Sequence, residues 1–143
     1  MSTEILKPVV ILAAWSMLMW LWMYATRLPA MKRAGLLDEP MIGGTGATLG
    51  PKLPPGVQWK ADNYNHLMEQ PTIFYATALA LAFLGAGDSL NAKIAWVYVG
   101  FRIVHSLVQV TGNRVPIRFA LHFIGTIPLL MLVTHAVFIA FAR

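Results

Sequence analysis

The chain has 143 residues, 57% of them hydrophobic and only 12% charged, where a soluble domain carries about 25% charged residues. A mean hydropathy of +0.61 makes lipid the expected solvent, and without water the backbone must satisfy its own hydrogen bonds; no barrel-like alternation is present, which leaves helices. The net charge of +5 is scattered over loops and helix ends without interleaved exposed aromatics, so it reads as membrane orientation and argues against nucleic acid as a partner.

At about 20 apolar residues per span, the length admits four crossings and their loops. The predicted architecture is an all-α transmembrane four-helix bundle, one domain over 1–143, with helices at about 5–27, 61–85, 90–111 and 115–142. The first opens with Pro8 in its first turn, carries Trp15, Trp20, Trp22 and Tyr24, and closes at Arg27. It is longer than the apolar core of a secretory signal, about 7–15 residues, and is read as a retained span. The stretch 28–60 is expected to be a solvated loop. The glycines of its turn-rich run, Gly43, Gly44, Gly46 and Gly50, lack the preceding strand and the Gly-Lys-Ser/Thr ending of a phosphate loop, and Pro51, Pro54 and Pro55 predict an extended path.

The second span opens on the most polar stretch of the chain, Asp62-Asn63-Tyr64-Asn65-His66-Leu67-Met68-Glu69-Gln70-Pro71, which runs directly into an apolar segment. In a helix, Asp62 with His66 and Asn65 with Glu69 are i,i+4 neighbours, and Pro71 predicts a kink beside Glu69. Asp88 or Ser89 is the expected cap of the third span. That span carries Arg102, His105, Ser106 and Gln109 as one polar stripe on an apolar helix. After the Gly112-Asn113 turn, the fourth span places Arg118, His122 and Thr126 on one face and has Pro128 as a second kink. His135, isolated near the far end, reads as a packed or interfacial histidine.

Lysines and arginines concentrate in the first and third connections, so these are expected to face the cytoplasm with both termini on the other side. Glu69 and Arg102 then lie at similar depth, and since an ionisable group at membrane depth needs a partner, they are expected to pair. Asn65, His66, His105, Gln109, Arg118 and His122 bring more donors to that end than packing needs. With Arg27, they form a cleft suited to a small carboxylate-bearing anion. The chain has no cysteine, so sulfur chemistry there requires a thiol supplied by a substrate. His66 and Glu69 at i,i+3 offer two metal ligands, but sequence identifies no mate on another helix and no His-Glu-x-x-His occurs, so no metal is expected.

The short four-helix plan, Arg27, the Glu69 motif, Arg102-x-x-His105 and Arg114-Val115-Pro116-Ile117-Arg118 together resemble the MAPEG family, the membrane-associated proteins in eicosanoid and glutathione metabolism, in the form of a divergent bacterial inner-membrane member. The resemblance covers nearly the whole chain. It implies a homotrimer in membrane lipid, with glutathione as co-substrate between subunits and a lipophilic electrophile as second substrate. It also implies glutathione contacts at Glu69, His105 and Arg27, and Arg118 as the group that stabilises the thiolate; Arg102 matches a core arginine that pairs with the acid, and His122, one turn from Arg118, is read from its position as a second group beside the thiolate. The chain departs from glutathione-using members at His66, Asn65, Gln109, Phe119 and His122, where those members carry Asn, Arg, Tyr, Ser and Tyr. Two functions follow: a glutathione-dependent transferase or peroxidase, or a non-catalytic membrane protein that binds a lipid or another anionic metabolite in the same cleft.

Overall fold

The computed structural model describes residues 2–38 and 40–142, and among these it is helical without a strand. The helices are α1 (Leu6–Arg33), α2 (Gly46–Leu49), α3 (Pro55–Leu67), α4 (Gln70–Phe83), α5 (Leu90–Val110) and α6 (Val115–Phe141), with a 3-10 turn at Gly50–Lys52. α1 packs against α3, α4 and α5, whereas α6 lies on α5 and α4; α5 and α6 share the most extensive contact. The core is formed by Leu12, Met19, Leu67, Phe74, Leu81, Tyr98 and Leu132, drawn from every long helix. α1 and α6 are each long and apolar enough to cross a membrane. Many large apolar side chains, including Leu21, Phe83, Phe119, Phe123 and Phe138, are exposed on the chain, as lipid or a neighbouring subunit requires.

Three local expectations change. α1 continues past Arg27 to Arg33 and accommodates Pro29 within its last turns. The connector is partly helical: Thr45 and Thr48 form a reciprocal capping box on α2, and Pro55 occupies the first turn of α3, where the missing N–H costs nothing. Neither Asp88 nor Ser89 caps α5 through its side chain. Asp88 Oδ1 instead accepts from the Glu4 N–H at 3.2 Å and ties down the start of the chain.

The expected kink at Pro71 is a complete break. α3 ends at Leu67 and α4 begins at Gln70, with Glu69 at φ −86°, ψ −98° between them. Pro71 has no N–H to donate back to Leu67 and its ring crowds that carbonyl, so the α-helical ladder cannot run through. A buried polar network spans the break. Gln70 Nε2 donates to Thr126 Oγ1 on α6 at 2.9 Å, and Tyr98 on α5 donates its hydroxyl to Gln70 Oε1 at 3.3 Å. α4 is thereby held to both neighbours beside the break. At the opposite end, His135 Nδ1 meets Asn91 Oδ1 at 2.7 Å, which links α6 to α5 and makes His135 a packing residue.

Candidate functional site

Arg102 is 2% exposed and forms no ion pair with any carboxylate among the described residues. The expected pairing with Glu69 is therefore replaced by a relay. Glu69 Oε2 lies 3.0 Å from His66 Nδ1, and His66 Nε2 lies 3.4 Å from Arg102 Nη1. The break explains this: it turns Glu69 outward, leaving its side chain 68% exposed, while His66 in the last turn of α3 stays between the acid and the buried guanidinium. The i,i+4 pairs expected of a continuous helix are absent too. Asp62 accepts instead from Gln58 Nε2 at 2.8 Å, and Asn65 gives its carbonyl to the Met68 N–H at 3.0 Å.

Hydrogen-bond chemistry assigns the ring nitrogens. A carboxylate only accepts and a guanidinium only donates, so His66 carries its proton on Nδ1 and presents a lone pair at Nε2. His122 Nδ1 also accepts from Arg102 Nη1, at 3.1 Å. Arg102 Nη2 donates to the carbonyl of His66 at 3.3 Å. The cation is thus housed by imidazole lone pairs and a carbonyl.

His105, buried on α5 one turn beyond Arg102, completes a triangle. Its ring centroid is 4.9 Å from that of His66 and 5.9 Å from that of His122, and the His66 and His122 centroids are 5.1 Å apart. One ring nitrogen from each lies within 4.8 Å of the others. Sequence reading had seen only His66 and Glu69 as a ligand pair. The mates sit on α5 and α6, and their recognition needed the helix packing.

Two cavities adjoin this cluster. One, of about 390 Å³, is lined by Asp62, Asn65, His66, Glu69, Gln109 and Arg118. A smaller one, of about 160 Å³, is lined by His66, His105, Val115, Arg118, Phe119 and His122. Arg118 and His66 belong to both. Arg118 is anchored by Asn113, whose Oδ1 accepts from Nη1; Asn113 adopts φ 44° in the turn before α6, a left-handed conformation that Asn tolerates better than most residues.

Arg27 does not join them. It is buried at 7% exposure and donates to Gln58 Oε1 at 3.1 Å and to the Gly46 carbonyl at 3.3 Å, so within one chain it clamps the connector onto α1. It lines a separate cavity of about 410 Å³ together with Trp20, Tyr24, Gly46, Tyr64 and Asn65. Asn65 is shared between this cavity and the one that holds Arg118.

A family model described as the MAPEG family matches residues 5–138, which include the broken α3–α4 pair, the histidine triangle and all three arginine-lined cavities. The chain belongs to the MAPEG family. Searches of curated proteins and of solved structures gave no match. As a MAPEG chain, it is a membrane protein built as a helical bundle, and the two cavities that hold Arg118 lie where α3, α5 and α6 meet. Gln70, Asn113 and Thr126 support that site; Thr126 was legible on the polar face of the fourth span, whereas Gln70 and Asn113 were not singled out by chemistry in the sequence. Their signal was positional: Gln70 beside a helix-breaking proline, Asn113 in a Gly-Asn turn five residues before Arg118.

Proposed function

We propose that this MAPEG protein is a glutathione-dependent transferase or peroxidase acting on lipophilic electrophiles, with Arg118 stabilising the thiolate. The observation that carries the reading is the position of Arg118 between two unlike cavities. One is polar, bordered by Asp62, Asn65, Glu69 and Gln109, and its roughly 390 Å³ lies in the range of small-molecule sites. The other adds Val115 and Phe119 to the histidines and is suited to an apolar co-substrate arriving from lipid. A thiol held beside the guanidinium loses its proton more readily, because the cation favours the thiolate, which is the nucleophile. The thiolate then attacks the electrophilic carbon of an acceptor with departure of that carbon's leaving group, or attacks the distal oxygen of a hydroperoxide, breaking the O–O bond and releasing the alcohol. In the second case another glutathione converts the resulting sulfenic acid to disulfide and water.

In this reading His122 and His105 border the reacting sulfur, while Asn65, His66, Glu69 and Gln109 hold the rest of the tripeptide. The subunit crosses the bilayer four times with both termini on the non-cytoplasmic side and assembles as a homotrimer, in which Arg27 serves a neighbour's glutathione across the Asn65 boundary. The test is the thiolate absorbance that develops when glutathione is added. The protein gives a difference band and Arg118→Ala loses it; no band in the folded wild-type protein refutes the mechanism.

A second reading, a binding protein for a lipid or another anionic metabolite, is favoured by the engagement of Arg118 with Asn113 and by the two carboxylates, Asp62 and Glu69, that share its cavity. Native mass spectrometry of gently extracted protein separates the two. A retained phospholipid that glutathione does not displace supports binding.

A further inference from the structure

His66, His105 and His122 come from three different helices, α3, α5 and α6, and their nitrogens converge in the partly buried space beside Arg118. We infer that these three histidines form a transition-metal site, taking a divalent ion of the zinc class through three imidazoles and leaving one coordination position open toward the adjoining cavities. The inference does not depend on whether glutathione binds.

The donor set matches the chemistry. Neutral imidazoles suit Zn²⁺, Co²⁺, Ni²⁺ and Cu²⁺, and three protein ligands with an open fourth position are the arrangement of reactive zinc sites. Metal–nitrogen bonds of about 2.0–2.1 Å in a tetrahedron put ligand nitrogens about 3.4 Å apart. The triangle, with nitrogens within 4.8 Å, therefore closes by at most about 1.4 Å. Ring rotation can supply this at His66 and His122, which are only partly buried. A second feature is already in place: Glu69 holds the Nδ1 proton of His66 at 3.0 Å, so the lone pair is on Nε2, the nitrogen that faces Arg102. A carboxylate on the far nitrogen is the usual companion of a metal-bound histidine, because it sets the tautomer and raises the ligand's basicity.

Arg102 decides how tightly an ion is held. Its Nη1 sits between the lone pairs of His66 Nε2 and His122 Nδ1, at 3.4 and 3.1 Å, so a guanidinium nitrogen bridges two of the three imidazoles. Metal must displace that nitrogen and then tolerates a positive neighbour, with Arg118 a second one nearby, opposed by Glu69. Metal alone is accordingly bound less tightly than at an uncharged three-histidine site, and Arg102→Met strengthens binding by about tenfold or more through removal of the like charge.

The probe is Co²⁺, titrated into detergent-solubilised protein from which any histidine tag has been cleaved, followed by its visible ligand-field bands and then by Zn²⁺ competition. The expected result is an intense tetrahedral spectrum at one ion per chain, bleached by Zn²⁺. His105→Gln and His122→Gln each abolish it, and Glu69→Gln weakens binding by about 10–100-fold. If Arg102→Met does not fold, the glutamine variants carry the test, because the hydrogen bonds of Arg102 go to His66 and His122 and His122→Gln keeps a side chain that can accept from it. No spectrum and no binding heat with folded wild-type protein overturns the inference, as does a spectrum that persists in the His105→Gln/His122→Gln double variant. Glutathione thiolate absorbance measured on chelator-stripped protein is a separate readout: its presence without Co²⁺ binding removes the metal site and leaves the glutathione reading standing.

Discussion

Asn113 carries two jobs that substitution can separate. Its backbone holds φ 44° and donates to the Val108 carbonyl at 2.7 Å, while its side chain fixes Arg118. Asn113→Gly keeps the left-handed turn and removes the tether. The lost bond is charge-assisted but both residues are only half-buried, so solvent screening reduces its worth to about 1 kcal/mol. Asn113→Ala removes the same bond and adds the left-handed penalty of an ordinary side chain, about another 1 kcal/mol. Asn113→Asp keeps an acceptor for Arg118 but places a negative charge near the thiolate site. At about 6 Å and an effective dielectric near 40, that charge is worth about 1.4 kcal/mol, or about one unit in the thiol pKa. Thermal unfolding followed by tryptophan fluorescence should therefore rank the wild type above the glycine variant and the glycine variant above alanine. Thiolate absorbance at neutral pH should fall by up to about tenfold in the aspartate variant. Equal stability of the glycine and alanine variants refutes the account of the turn. A full thiolate signal in Asn113→Asp refutes the role given to Arg118.

Other perturbations test the frame around the site. A Cβ built on Gly125 falls 2.8 Å from Phe101 Cβ, so Gly125→Ala sets an overpacking cost of about 1–3 kcal/mol against a helix-propensity gain of about 0.5–1 kcal/mol. The net outcome is destabilisation in thermal melts and a displaced His122, one turn away; a more stable variant contradicts the close α5–α6 contact. Gln70→Leu strands the Tyr98 hydroxyl, while Thr126 keeps its bond to the His122 carbonyl, and lowers stability by about 1–3 kcal/mol, whereas Gln70→Glu keeps the acceptor for Tyr98 and loses less. His135→Leu removes one helix tie, costs about 1 kcal/mol and leaves glutathione binding by calorimetry unchanged; altered binding would contradict its assignment to packing.

Some of this protein follows from the sequence alone. Its apolar composition selects lipid, and lipid without a barrel pattern selects helices, because a backbone with no water must bond to itself. Pro71 dictated an interruption beside Glu69, and the spacing of Arg102, His105 and Gln109 put them on one face of α5, since both effects are local to a single stretch of backbone. Arg118 and His122, one turn apart on α6, were legible for the same reason.

The tertiary structure decided which of these groups meet. Sequence placed Glu69 and Arg102 at the same depth, but depth does not fix azimuth; the break at Leu67 turned the acid outward and left His66 as the intermediary. Arg27 was expected in the cleft and instead clamps Gln58 and Gly46, because α1 runs on to Arg33 and the connector folds back as α2 and α3. The histidine triangle belongs to no segment at all. Each imidazole is unremarkable on its own helix, and three ring nitrogens within 4.8 Å of one another, two of them bonded to one guanidinium, arise only when α3, α5 and α6 are packed together.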